Sequence, residues 1–100
     1  MKAHGKMLVK NFKSSFKAEF GVDINVHNGF STGSYADDGA TLASIRSEKA
    51  SGPSEELELH GNMSVRTAEK AIQDALGFKV QVLNKSGKNA DNSARLNAIR

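Results

Sequence analysis

Internal repetition is the feature that most constrains what this 100-residue chain can fold into, because a repeat unit must bury its apolar face against its neighbour. Shifted by 56 positions, His4-Gly5-Lys6-Met7-Leu8-Val9 falls over His60-Gly61-Asn62-Met63-Ser64-Val65. The same shift sets Gly21 on Gly77, Val26 on Val82 and Asn28 on Asn84, giving 7 identities in 25 positions. After a two-residue gap the shift becomes 54. Ala36-Asp37, Ala40, Leu42 and Ile45-Arg46 then meet their equals, 6 identities in 11 positions.

The apolar pattern runs in step. Phe12, Phe16 and Phe20 fall over Ala68, Ile72 and Leu76, each set recurring every fourth residue before a glycine. Beyond the glycine, Val22-Asp23-Ile24-Asn25-Val26 and Phe78-Lys79-Val80-Gln81-Val82 alternate with period two. Helical periodicity switching to strand periodicity across Gly21 and Gly77 predicts a helix closed by a left-handed glycine and followed by a strand. Glu56-Leu57-Glu58-Leu59-His60 also alternates and predicts a strand entering the second helix, with Lys2-Ala3-His4 as its shorter counterpart. Asp37 or Asp38, and Asp91, are placed to cap a short closing helix carrying Leu42 and Ile45, or Leu96 and Ile99.

The unit therefore reads strand, helix, strand, short helix, twice over: repeats 1–50 and 55–100, joined by Ser51-Gly52-Pro53-Ser54. Neither copy alone buries enough surface to be stable. The expected fold class is α/β, with α+β the alternative: one pseudo-two-fold domain with a small mixed sheet of about four strands. Tight links around each long helix make a right-handed crossover between parallel strands the default. Asn28-Gly29 is a hairpin signal, so an extra antiparallel strand over 30–35 is the alternative there. Asn84-Lys85-Ser86-Gly87 offers the second copy little to pair with.

Composition sets the remaining bounds. Hydrophobic residues at 38% and charged ones at 25% are too apolar for a disordered tail and too mixed for a coiled coil or collagen. The absence of cysteine removes disulfides and thiolate metal sites, which leads us to expect a reducing, cytoplasmic setting. No apolar run approaches a membrane span, and none follows the basic N-terminus as a signal peptide requires, so no membrane insertion is expected.

Residues that both copies keep are explained by turns, caps and core, whereas unshared ones are free for function. Lys6, Lys10, Lys13 and Lys17 fall on one side of a helical wheel, and residues 1–17 hold five lysines and no acid. The second copy has Asn62, Arg66, Glu69 and Gln73 at those places, so the fold does not require the stripe. A row of ammonium groups of this kind suits a phosphate backbone or another acidic partner; a solvated helix face is the plainer explanation.

His4, His27 and His60 lack any metal-ligand spacing, and His27 reads as a strand-end histidine bonding a backbone group. Asp37-Asp38 reads as caps. Gly29-Phe30-Ser31-Thr32-Gly33 matches a nucleophile-elbow pattern, but no helix follows it at once as that mechanism requires. No phosphate-loop or dinucleotide motif occurs, so neither catalysis nor cofactor, metal or small-molecule ligand is expected. The expectation is a non-catalytic binding or protein-interaction module, self-associating as a homodimer through sheet edges. The alternative is a nucleic-acid-binding protein contacting phosphates through the four lysines.

Overall fold

Two 12-residue helices, α1 (Val9–Phe20) and α2 (Val65–Leu76), carry much of the core of the computed structural model, which describes residues 1–31, 33–50 and 56–99. Each helix stops where the sequence predicts. Gly21 and Gly77 take positive φ of 77° and 82°, and their N–H groups donate to the carbonyls of Lys17 and Gln73. At the other end, Ser64 caps α2 by accepting the Thr67 N–H, whereas Leu8 leaves α1 without a side-chain cap.

The four-residue apolar rows become the buried faces. Val9, Phe12, Phe16 and Phe20 join Val65, Ala68, Ile72 and Leu76 in a single hydrophobic cluster, to which Leu42, Leu59, Phe78 and Leu96 also belong. The Phe12 ring meets Phe78 edge-on at 6.2 Å, and Phe16 lies 4.9 Å from Phe20.

The strands depart from expectation. β1 (Lys2–Ala3) pairs antiparallel with β3 (Leu57–Glu58), and β2 (Ile24–Val26) pairs antiparallel with β4 (Val80–Val82). The class is α+β, with two separate two-stranded sheets in place of one mixed sheet holding parallel crossovers. The parallel default fails because no strand pairs with its neighbour across a helix; each finds its partner in the other half of the chain. Strands of two or three residues carry too few pairing groups to impose a crossover, and burial of the shared cluster decides which strands meet.

The closing helices shrink to single 3-10 turns, Ala43–Ile45 and Leu96–Ala98. Their aspartates do not cap them. Asp37 accepts the Gly39 N–H, and Asp91 accepts both the N–H and the hydroxyl of Ser93, which holds its carboxyl below the usual range. These are local turns in which aspartate satisfies the backbone two residues on.

Among the described residues of 30–35 no extra strand forms; a bridge joins His27 and Tyr35, flanked by Asn28 N–H to Ser34 O and Ala36 N–H to Val26 O. The second half does the same with Leu83 and Asn89, flanked by Asn84 N–H to Lys88 O and Ala90 N–H to Val82 O. Other bonds also come in pairs: Val9 to Ala40 and Val65 to Ala94, Leu42 to Met7 and Leu96 to Met63. The expected joint at Ser51-Gly52-Pro53-Ser54 lies outside the described residues. No helix among the described residues is long and apolar enough to cross a membrane.

Candidate functional site

The four lysines of the sequence pattern do not stay together as one free cationic row. Helix α1 begins at Val9, so Lys6 sits in the preceding turn, and only Lys10, Lys13 and Lys17 share the helical wheel. Lys13 Nζ lies 3.1 Å from Asp38 Oδ1, and Lys17 Nζ lies 3.2 Å from Asp23 Oδ1. These exposed pairs are worth little in energy, but they neutralise half of the stripe. Lys6 and Lys10 are exposed and have no ion-pair partner among the described residues.

Other candidates also separate. Ser31 lines a groove of about 520 Å³ with Asn28, Arg46 and Lys49, and no histidine lines it. His4 Nδ1 accepts the Lys6 N–H, and His60 Nε2 lies 3.1 Å from Glu58 Oε1; both rings are exposed. Among the described residues no three metal-ligating side chains are gathered.

His27 is placed differently from the sequence reading. It is 2% exposed, and neither ring nitrogen has a hydrogen-bond partner among the described residues, so it does not bond a backbone group. The ring stacks on Tyr35 at 5.1 Å and 21°, and Tyr35 is itself 66% exposed. Because His27 N–H donates to Lys79 O and Leu83 N–H to Asp23 O, the hydrogen-bonded pairs of the β2–β4 ribbon are the odd-numbered residues. The even-numbered side chains, Ile24, Val26, Val80 and Val82, enter the core. Asn25, Lys79 and Gln81 lie on the opposite face, half-buried.

Beside that face and the flank of α2 lies a cavity of about 350 Å³ lined by His27, Arg66, Glu69, Lys70, Gln73, Lys79, Val80 and Gln81. Glu69 accepts the Val82 N–H at 2.9 Å. Burial pushes its carboxyl above the ordinary value of 4.5, and the Val82 bond offsets part of this. Lys70 pairs with Asp74 at 3.0 Å, while Arg66 and Lys79 have no ion-pair partner among the described residues.

Two predictions arise here. A buried polar group left without a partner costs about 1–3 kcal/mol. His27→Leu removes that cost and forfeits the stack on Tyr35, for a net gain of about 1 kcal/mol. The variant is expected to show a higher thermal midpoint by circular dichroism; a lower one means that the imidazole is satisfied in solution.

The second concerns Glu69. Its folded pKa lies above its unfolded value, so the folded state holds the proton to higher pH. Glu69 therefore contributes most favourably below 4.5, and that contribution is lost as pH rises through the folded value. Glu69→Gln, whose amide oxygen still accepts the Val82 N–H, is expected to be the more stable protein above that window and equal to wild type below it. Urea unfolding of both proteins across the acid range measures the difference.

Sequence reasoning passed over Arg66, Glu69, Lys79 and Gln81, and assigned His27 a structural bond. One signal was available: at the 56-residue shift His27 falls on Leu83, and Lys79 on Asp23. No family model matches the chain, and no curated protein or solved structure matches it either.

Proposed function

We propose that this chain is a non-catalytic protein-interaction module of the reducing cytoplasm, a single pseudo-two-fold domain of two copies that pairs with a second molecule through its strand edges. The recurring hydrogen bonds of the two halves support the duplication. A radius of gyration of 12.2 Å, against about 13 Å expected for one compact body of this length, supports a joint domain.

The observation that carries the interaction reading is the pair of outer edges of the β2–β4 ribbon. Backbone groups of its even-numbered residues point out of the ladder. Val26 O is taken by Ala36, Val82 O by Ala90, and Val82 N–H by Glu69. Ile24 on one edge and Val80 on the other have backbone groups without a partner among the described residues, and both residues are buried. Once the chain that covers it is displaced, such an edge is a template for an added strand. The β1–β3 ribbon is a poorer one, because Lys2 and Glu58 put charged side chains along its short edges.

The test combines light scattering with amide exchange across a concentration series. The mass is expected to rise from 10.7 kDa towards twice that value, with the Ile24 and Val80 amides gaining protection as it does. A mass held at one chain, with both amides exchanging freely, removes the homodimer.

The second reading, contact with nucleic-acid phosphates through Lys6, Lys10, Lys13 and Lys17, now rests on the two unpaired lysines. Four engaged phosphates give a log–log salt slope of about −3.6 on duplex DNA, and two give about −1.8. A slope near the larger value requires Lys13 and Lys17 to leave Asp38 and Asp23. No binding at about 50 mM salt ends this reading.

A further inference from the structure

We infer that the cavity between α2 and the outer face of the β2–β4 ribbon, walled by His27, Arg66, Lys79 and Gln81, is a binding site for a phosphate monoester. This goes beyond the edge-pairing reading and uses side chains that reading leaves idle.

Size comes first. At about 350 Å³ the cavity lies within the range of small-molecule sites, roughly 300–1,000 Å³, and is larger than a bare ion needs. Charge narrows the class. Arg66 and Lys79 bring two cations without an ion-pair partner among the described residues to the wall, Lys70 being paired with Asp74, and Glu69 is the one acid among them. A phosphate monoester, carrying about −1.5 to −2 at neutral pH on three strong acceptor oxygens, can meet both cations at once. Arg66 and Lys79 have no ion-pair partner among the described residues, so neither must abandon one to engage a ligand. A planar guanidinium also meets two phosphate oxygens at once.

The second, independent observation is His27. Its imidazole is buried, lines this cavity, and has both nitrogens unpartnered among the described residues. Both nitrogens are covered, so an N–H of that ring donates to a phosphoryl oxygen only when the ring turns toward the cavity, which would satisfy a group otherwise stranded. Tyr35, stacked against the ring, restricts its tilt. Comparison of the halves supports the assignment. At the place of Lys79 the first half has Asp23, an acid engaged by Lys17, so the two cations of this wall have no matching pair there.

The experiment is an NMR titration of the ¹⁵N-labelled full chain with O-phosphoserine and with a short phosphoserine peptide. Inorganic phosphate and sulfate serve as reference ions. Saturable shifts are expected at the amides of His27, Lys79 and Gln81. Arg66→Ala and Lys79→Ala are each expected to weaken binding about tenfold, as loss of one charged hydrogen bond implies. Both side chains lie away from the core, and unchanged circular dichroism would confirm that the variants fold. Glu69→Gln is expected to tighten binding by removing the opposing carboxylate, and Lys10→Ala to leave it unchanged.

Tighter binding of the peptide than of O-phosphoserine places the phosphate on a protein partner; equal binding places it on a free metabolite. Either result supports the site. The proposal is overturned by an absence of saturable shifts up to about 10 mM ligand, by shifts that survive both Arg66→Ala and Lys79→Ala, or by sulfate binding as tightly as the monoesters.

Discussion

Phe12→Ala is expected to destabilise the protein by about 3–5 kcal/mol, the usual cost of emptying a fully buried aromatic site. Phe12 is completely buried and meets the edge of Phe78, a ring from the other half of the chain. The hole therefore opens in a wall that both halves share. Against a total of about 5–15 kcal/mol for a domain of this kind, the variant would stand near the limit of folding. Urea unfolding followed in parallel by circular dichroism and by fluorescence of Tyr35, the one tyrosine, separates two cases. A shared interior gives one transition, displaced to lower urea with an unchanged slope, and coincident by both probes. Two transitions, with Tyr35 responding early, would mean that the halves pack independently. A double-mutant cycle with Phe78→Ala is expected to return a coupling of about 0.5–1.5 kcal/mol for the edge-on pair.

Gly77→Ala is the second large effect, about 3 kcal/mol, and Gly21→Ala is its control. Both glycines hold a left-handed conformation at a helix end, which costs a residue with a Cβ about 1–2 kcal/mol. At Gly77 there is a further obstruction. An added Cβ would lie 2.6 Å from Arg46 Cγ and 2.9 Å from Ala50 Cβ, where the chain leaving the first half crosses over the end of α2. Overpacking of that kind adds about 1–3 kcal/mol. Gly21 is exposed, so its alanine variant should lose only the conformational share, about 1 kcal/mol. Denaturant midpoints of the two variants measure the difference. Equal losses would show that residues 46–50 yield without cost.

What could be read from the residues follows from distance along the chain. Phe12, Phe16 and Phe20 recur at the helical period and end at a glycine, so helix, buried face and stop were all legible, as they were for Ala68, Ile72 and Leu76. Local signals fail where satisfaction comes from far away. The helical wheel gathers Lys10, Lys13 and Lys17, but nothing in it announces that Asp38 returns beside Lys13 from 25 residues on. Asp37 and Asp91 suit a helix cap equally well on paper; the turns they make instead depend on where the Lys10 and Arg66 amides send their hydrogen bonds, which is to Asp38 O and Asn92 O.

The candidate cavity shows the same limit. His27 and Gln81 are brought together only by the register that sets Asn25 against Gln81. That register joins opposite halves of the chain.

By itself, then, the sequence determined the span and buried face of each long helix, the glycine that ends it and the alternation that follows, because these depend on contacts within four residues. Only the tertiary structure decided that strands pair antiparallel between the two halves of the chain, that two lysines are neutralised by returning aspartates, and that an unpartnered histidine lies beside an arginine and a lysine. Strands so short do not choose their own partners. Burial of one common core chooses for them, and the residues beside each strand are carried along.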